Sequence, residues 1–154
     1  MPDGSRLGID WGKARIGVAS CAARTSFAFP VTTVKAGRDE LEDLARVIAE
    51  TQPEVVYVGL PLDLRGDFGP AARFVVGKAR ALAQRVPGVE IRLIDERMST
   101  ASAARGLGSV GRNTRSQRAI IDQAAAVEIL QRALDLEART GSVAGELLDG
   151  IEDE

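Results

Sequence analysis

The sequence predicts a mixed α/β fold in which one sheet is covered by helices on both faces. Two features of the pattern lead to this prediction. Alternating apolar and polar residues with short connections fill the first quarter of the chain, as is typical of an antiparallel meander of three strands. Helical and strand patterns then alternate, and two strands that are joined to the meander through helices pair in parallel.

The meander is expected to contain strands over residues 7–11, 16–20 and 29–34. In the first strand, large apolar residues alternate with Gly8, Asp10 and Gly12, so Asp10 lies on the opposite face from the apolar side chains. The two glycines leave this face open. We therefore expect a ligand to approach the Asp10 carboxylate.

Helices and strands alternate after residue 38. A helix is expected to begin at Asp39, with a capping box to Glu42, and to end before Pro53. The apolar run over residues 55–60 is typical of a strand covered on both faces, and Pro70 starts a second helix. A strand is then expected over residues 89–97, followed by a short helix over 99–107 and a glycine-rich loop over 106–113. The last helix is expected to begin at Thr114, with a capping box to Gln117, and to end at about Thr140.

The chain is expected to be a single domain over residues 1–140, followed by a tail. Residues 141–154 contain five acidic residues and no lysine or arginine, with only scattered apolar residues. Such a composition predicts an acidic, disordered end.

Composition excludes several classes of protein. No window approaches about 18 uninterrupted apolar residues and the N-terminus has no signal pattern, so we expect a soluble, cytoplasmic protein without a membrane partner. Cys21 is the single cysteine, which excludes an internal disulfide and predicts a buried core thiol. The chain has no histidine, which excludes Ser-His-Asp, Cys-His and most zinc-hydrolase sites.

Acidic residues occur at three positions that the pattern predicts to be buried. Asp10 lies in an apolar strand, the doublet Asp95 and Glu96 ends another, and Asp122 faces the protein from the last helix. Singly, they could anchor a turn, cap a helix, or pair with a core arginine. Together, converging carboxylates repel one another unless a divalent cation neutralises them, and all-oxygen ligation suits Mg²⁺ or Mn²⁺.

Four motifs resemble the YqgF/RuvX family of RNase H-like proteins, which are described as Holliday junction resolvases or pre-16S ribosomal RNA nucleases. The motifs are GIDWGKARIGVA, VVYVGLPLDLRGDFGP, DERMST and IIDQAAAVEIL, and the resemblance covers about residues 5–136. It implies an RNase H-like sheet of five strands. Trp11 and Met98 depart from the residues expected in the motifs, but both keep an apolar side chain.

The resemblance also implies that Asp10, Asp122 and one acid of the DER motif form the metal site. We favour Glu96, because its longer side chain can reach inward from a strand end, and leave Asp95 as a supporting residue or alternative ligand. In such a site, one carboxylate can bridge two cations, one of which activates water while the other stabilises the leaving oxygen.

Candidate substrate-binding residues are all basic. Lys13 and Arg15 follow Asp10 in the first hairpin, where they contact the scissile phosphate or brace the hairpin. One stretch between residues 97 and 121 contains arginines and no acid, and it could track a phosphate backbone or form a solvated helix face. Its arginines are Arg97, Arg105, Arg112, Arg115 and Arg118.

The preferred function at this point is a metal-dependent nuclease that processes structured RNA, most specifically pre-16S ribosomal RNA. The alternatives are a Holliday junction resolvase acting on branched DNA and a non-catalytic RNA-binding factor in ribosome maturation. A nucleotide-binding relative of the actin-like ATPases is disfavoured, because those proteins resemble two duplicated halves and 154 residues provide one. A monomer or weak homodimer is expected.

Overall fold

The sheet contains six strands in the order β3-β2-β1-β4-β5-β6. A computed structural model describes residues 4–63, 65–96 and 115–151. The strands are β1 (Arg6–Trp11), β2 (Arg15–Cys21), β3 (Phe29–Lys35), β4 (Val55–Leu60), β5 (Glu90–Asp95) and β6 (Glu146–Leu147). The helices are α1 (Glu40–Thr51), α2 (Pro70–Arg85) and α3 (Arg115–Thr140), followed by a 3-10 turn at Leu148–Gly150.

Strand pairing follows the predicted topology. The strands β1, β2 and β3 form an antiparallel meander, while β4 pairs in parallel with both β1 and β5. The five predicted strands are therefore confirmed. Two residues of β6 add a sixth strand, antiparallel to β5, which the sequence analysis did not include. The predicted helix over 99–107 and the loop over 106–113 lie outside the described residues.

Helices cover the two faces of the sheet unequally. The helices α1 and α2 pack on one face, where Leu7, Ile9 and Trp11 belong to the larger apolar cluster. The helix α3 covers the other face and packs against Val55, Tyr57 and Ile94, among other residues. Alternation along β1 therefore places Asp10 on the α3 face. Among the described helices, none combines the length and apolar composition that a membrane crossing requires.

Local sequence explains where the first two helices begin. Gly69 precedes Pro70, whose missing N–H and fixed φ suit the first turn of α2. The predicted capping box of α1 is wrong, because the Asp39 side chain makes no capping hydrogen bond. Instead, the carboxylate of Glu40 accepts a hydrogen bond from the Gly37 amide at 2.9 Å. This bond ties the start of α1 to the preceding turn, but the Gly37 amide is not one of the amides that a capping box satisfies.

The C-terminal segment packs against the sheet as far as residue 151, which differs from the predicted disordered tail. Ala144 and Leu148 are buried, and the guanidinium of Arg92 donates to the carbonyl oxygens of Ala144 at 2.6 Å and Gly145 at 3.0 Å. These contacts stabilise the segment. Its composition is dominated by acidic residues, so the few apolar residues that pack against the sheet were not recognised in the sequence. Residues 152–154 lie outside the described residues.

A buried polar cluster fixes the C-terminal half of α3 to the sheet. Arg6 of β1 lies 3.5 Å from Glu137 of α3, and the hydroxyl of Tyr57 in β4 donates to the same carboxylate. All three side chains are almost completely buried. Glu137 is about 22 Å from Asp122 along the helix, so this cluster fixes α3 at the end away from Asp122.

Candidate active site

Asp10 lies between two glycines in one row across the sheet. It pairs with Gly17 of β2, and the parallel register that pairs Ile9 with Val58 brings Gly59 of β4 to its other side. Neither neighbour has a side chain. Groups from other elements can therefore approach Asp10 from both sides, on the face that α3 covers.

The two other candidate acids lie above these glycines. A Cβ atom added to Gly59 would be 2.5 Å from Oε2 of Glu96, and one added to Gly17 would overlap the backbone carbonyl of Asp122. The close approach is possible only because both positions are glycine. Glu96 at the end of β5 and the Asp122 backbone of α3 thus lie over the two glycines that flank Asp10 of β1.

All three acids are buried. The relative exposure is 3% for Asp10, 3% for Glu96 and 9% for Asp122. Removing carboxylates from water is costly unless cations or hydrogen-bond donors compensate them. Such compensation is therefore expected for every acid in this row.

Strand parity separates Asp95 from Glu96. Leu93 belongs to the apolar cluster under α1 and α2, whereas Ile94 belongs to the cluster under α3. Glu96 has the parity of Ile94 and lies over Gly59, and its amide donates to the carbonyl of Leu60 at 3.1 Å. Asp95 has the parity of Leu93 and is half-buried. Parity thus places Glu96, and not Asp95, on the same face as Asp10, whereas the preference for Glu96 as the ligand stays a prediction.

Asp122 forms an ion pair with Arg15. Nε of Arg15 donates to Oδ2 of Asp122 at 2.7 Å, and both side chains are mostly buried. Arg15 is the first residue of β2, immediately after the hairpin that Gly12 closes through a 3.0 Å hydrogen bond to the Arg15 carbonyl. The arginine partner considered for Asp122 is thus present, and it comes from the candidate substrate-binding residues.

Lys13 lies near the same end of β1 but contacts the α2 side. Its Nζ is 5.7 Å from the centre of the Phe74 ring, and Nζ of Lys78 lies at the same distance from that ring. Cations at this distance are attracted by the negative face of an aromatic ring. Lys13 is itself exposed, so its ammonium group can reach a ligand in solution.

Glu40 is a buried carboxylate that the sequence analysis did not single out. It accepts hydrogen bonds from Trp11 Nε1 at 3.2 Å and Gly37 N at 2.9 Å, and pairs with Lys78 at 3.0 Å. Burial alone would raise the pKa of Glu40, but these donors hold the pKa below its usual value of 4.5. The interactions brace Trp11, the residue after Asp10, from the opposite face of the sheet.

The glycines beside Asp10 in sequence have a different role from the predicted one. A Cβ atom on Gly8 would be 2.6 Å from Cβ of Leu130, so α3 fills that space. A Cβ atom on Gly12 would be 2.6 Å from the Arg15 carbonyl oxygen in the hairpin. The prediction that these two glycines leave the face open is therefore wrong. The glycines across the sheet, Gly17 and Gly59, instead allow Asp122 and Glu96 to approach the row of Asp10, which only strand register could reveal.

The basic stretch is described only in part. Arg97, Arg105 and Arg112 lie outside the described residues, and so do the side chains of Arg115 and Arg118 in the first turn of α3. Their contact with a substrate remains a prediction.

The prediction that Cys21 is a buried core thiol is confirmed, since it is a free cysteine within the core.

The three acids fit a hard divalent cation by donor type, since all their ligand atoms are oxygens. Their position also fits, because the glycines that flank Asp10 allow Glu96 and the Asp122 backbone to approach the same row. However, the described residues contain no group of three or more Cys, Asp or Glu side chains arranged to hold one ion. One oxygen of Asp122 is paired with Arg15 instead. The donor set is therefore gathered at one place without forming a common ligand shell.

Comparison with known proteins assigns the family. A family model described as "RuvX: Holliday junction resolvase" matches residues 4–136. A protein of Cutibacterium acnes named "Putative pre-16S rRNA nuclease" is 47% identical over 132 residues, which are 86% of this chain and 82% of that protein. A Nocardioides protein with the same name is 47% identical over 154 residues, covering 97% of this chain and 99% of that protein.

Solved structures confirm the RNase H-like fold. The structure of Thermus thermophilus RuvC in complex with a Holliday junction substrate aligns with a TM-score of 0.57 and 18% identity. The alignment covers 94% of this chain and 99% of that chain. A second Thermus thermophilus RuvC structure aligns with a TM-score of 0.56 at 17% identity. At this level of identity the likeness establishes the fold, and the match to the family model goes further: the chain belongs to the RuvX family.

Proposed function

We propose that this protein is a divalent-metal-dependent nuclease that hydrolyses phosphodiester bonds in structured nucleic acid, with pre-16S ribosomal RNA as its preferred substrate. The observation that supports the proposal is that Glu96 and the Asp122 backbone lie over the two glycines that flank buried Asp10. The names of the curated relatives support the choice of substrate. A role in ribosomal RNA processing implies a cytoplasmic location.

Asp10, Glu96 and Asp122 would hold the Mg²⁺ or Mn²⁺ ions. When bound, one or two such ions would supply an activated water and stabilise the leaving oxygen, and Asp10 would be the central one of the three ligands. The chain has no histidine that could act as a general base. The protein's own contribution is to gather the carboxylates, and α3 shields them from water on one side.

Phosphate binding is assigned to the basic residues near the acids. Arg15 is paired with Asp122, and exposed Lys13 lies in the turn of the same hairpin, towards α2. We also assign to this role Arg97, Arg112, Arg115 and Arg118. Lysine and arginine contacts to phosphate add affinity that depends on salt and do not read base sequence. Recognition would therefore follow backbone shape, which suits a folded RNA.

The test compares cleavage of a pre-16S RNA fragment with cleavage of a synthetic four-way DNA junction, with Mn²⁺ or Mg²⁺ present. Asp10→Asn, Glu96→Gln and Asp122→Asn should abolish cleavage of the preferred substrate while the circular dichroism spectrum stays unchanged. Asp95→Asn is the matched control within the DER motif and should retain most activity. Full activity of Asp10→Asn would refute the assignment of the site.

Junction resolution is the second candidate, favoured by the description of the matching family model. It requires two active sites that make paired cuts, and hence a homodimer, whereas we expect a monomer or weak homodimer. Paired symmetric cuts in the four-way junction, together with poor cleavage of the RNA, would favour it. Salt-sensitive RNA binding without cleavage of either substrate would instead support a non-catalytic factor in ribosome maturation.

A further inference from the structure

The ion pair between Arg15 and Asp122 has a geometry that leaves most of the guanidinium unused. The pair is made through Nε at 2.7 Å, and no other hydrogen bond from this guanidinium occurs within the described residues. Its two terminal nitrogens carry four of the five N–H donors of the group. Arginine forks of this kind bind phosphate oxygens in pairs.

The pair also occupies an atom that the proposed metal site needs. Oδ2 of Asp122 accepts from Arg15, and the described acids are not arranged to hold one ion together. A cation that took this oxygen would compete with Arg15 for it, because both bring positive charge to the same atom. The side chain of Arg15 is 27% exposed and that of Asp122 is 12% exposed, so the pair lies at the open edge of the row.

We propose that Arg15 is an internal counter-ion that is exchanged during the reaction cycle. It neutralises Asp122 before metal binds, releases the carboxylate to the cation, and turns its guanidinium to a phosphate of the substrate. This proposal rests on the proposed function. It makes Arg15 a counter-ion of Asp122 that lowers metal affinity in the absence of substrate, and a phosphate-binding residue that strengthens substrate binding when metal is present.

The sign of the effect on metal distinguishes this role from simple orientation of Asp122. If Arg15 only held Asp122 in the correct position for metal, its removal would weaken metal binding, as loss of a supporting hydrogen bond does. If Arg15 competes, its removal leaves a more negative site and metal binds more tightly. Loss of a partly exposed ion pair corresponds to about a fivefold change in affinity.

The experiment measures Mn²⁺ affinity of the full chain without nucleic acid, from the electron paramagnetic resonance signal of free Mn²⁺. Arg15→Gln should bind Mn²⁺ about fivefold more tightly than the unchanged protein. Arg15→Lys, which keeps the charge but pairs less well, should fall between them. In an Asp122→Asn background, Arg15→Gln should change affinity by less than about twofold, since the partner is already lost.

A second measurement follows binding of a non-cleavable phosphorothioate RNA in Ca²⁺ as salt is varied. Arg15→Gln should weaken binding and reduce the salt dependence by about one ion. Equal or weaker Mn²⁺ binding by both Arg15 variants would overturn the exchange while leaving the nuclease proposal intact. If the unchanged protein bound no Mn²⁺, the metal site itself would be refuted, and the exchange with it.

Discussion

Replacement of Gly59 by alanine tests the architecture of the acidic row without changing any candidate ligand. The new Cβ atom would be 2.5 Å from Oε2 of Glu96 and 2.6 Å from Cδ1 of Ile129. Both atoms are at the ends of side chains, so they can move, at an overpacking cost of about 1–3 kcal/mol. The alanine also restricts the unfolded chain, which offsets about 0.5 kcal/mol. A net destabilisation of about 0.5–2.5 kcal/mol is expected.

Displacement of the Glu96 carboxylate should also weaken Mn²⁺ binding by at least about tenfold. Urea unfolding measures the loss of stability, and Mn²⁺ titration measures the loss of affinity. Adding Ile129→Val to Gly59→Ala removes the clashing Cδ1 atom, and should restore stability but not metal affinity. Gly77→Ala, at a position with open space in α2, should leave the affinity unchanged. Normal metal affinity in the destabilised Gly59→Ala protein would show that Glu96 does not belong to the site.

Three further predictions concern the surroundings of the site. Because the folded state lowers the pKa of Glu40, its contribution to stability is present above pH 4.5 and is lost as the pH falls through the lowered value. Glu40→Gln should therefore reduce the free energy of unfolding at pH 7, and the difference in urea midpoint should shrink towards pH 3. Tyr57→Phe removes the hydroxyl that donates to buried Glu137, and should cost about 1–3 kcal/mol in urea unfolding. Lys13→Gln should reduce the salt dependence of RNA binding by about one ion, whereas Arg46→Gln on the exposed part of α1 should not change it.

Much of the fold could be predicted because its elements have strong local patterns. The apolar run of β4 and the Gly69 and Pro70 start of α2 depend on residues that are close in sequence, and both predictions were correct. The packing of the C-terminal segment was harder to predict from the sequence. Its acidic residues dominate the composition, whereas its packing depends on Ala144, Leu148 and backbone contacts from Arg92. Contacts of that kind leave no periodic pattern.

In the candidate site, too, features with a local sequence pattern could be predicted, and contacts between distant residues could not. Asp10 and Asp122 could be selected because each is an acid at a position whose neighbours predict burial. The roles of Gly17 and Gly59 could not be predicted, because they depend on which residues become neighbours across the sheet. The sequence also could not identify Arg15 as the ion-pair partner of Asp122, since the two residues are 107 positions apart. Register and helix docking create these contacts, and both are properties of the assembled fold.

Helix docking also explains why glycine is required on two strands of one face. Gly8 lies against Leu130 and Gly17 lies against the backbone of Asp122, so α3 approaches β1 and β2 more closely than side chains would permit. The buried pair of Arg6 and Glu137 holds the other end of the helix. With both ends fixed, the position of Asp122 relative to Asp10 follows from the packing of the whole helix. A change that lifts α3 at Gly8 should therefore disturb the acidic row from a distance, although no candidate ligand is altered.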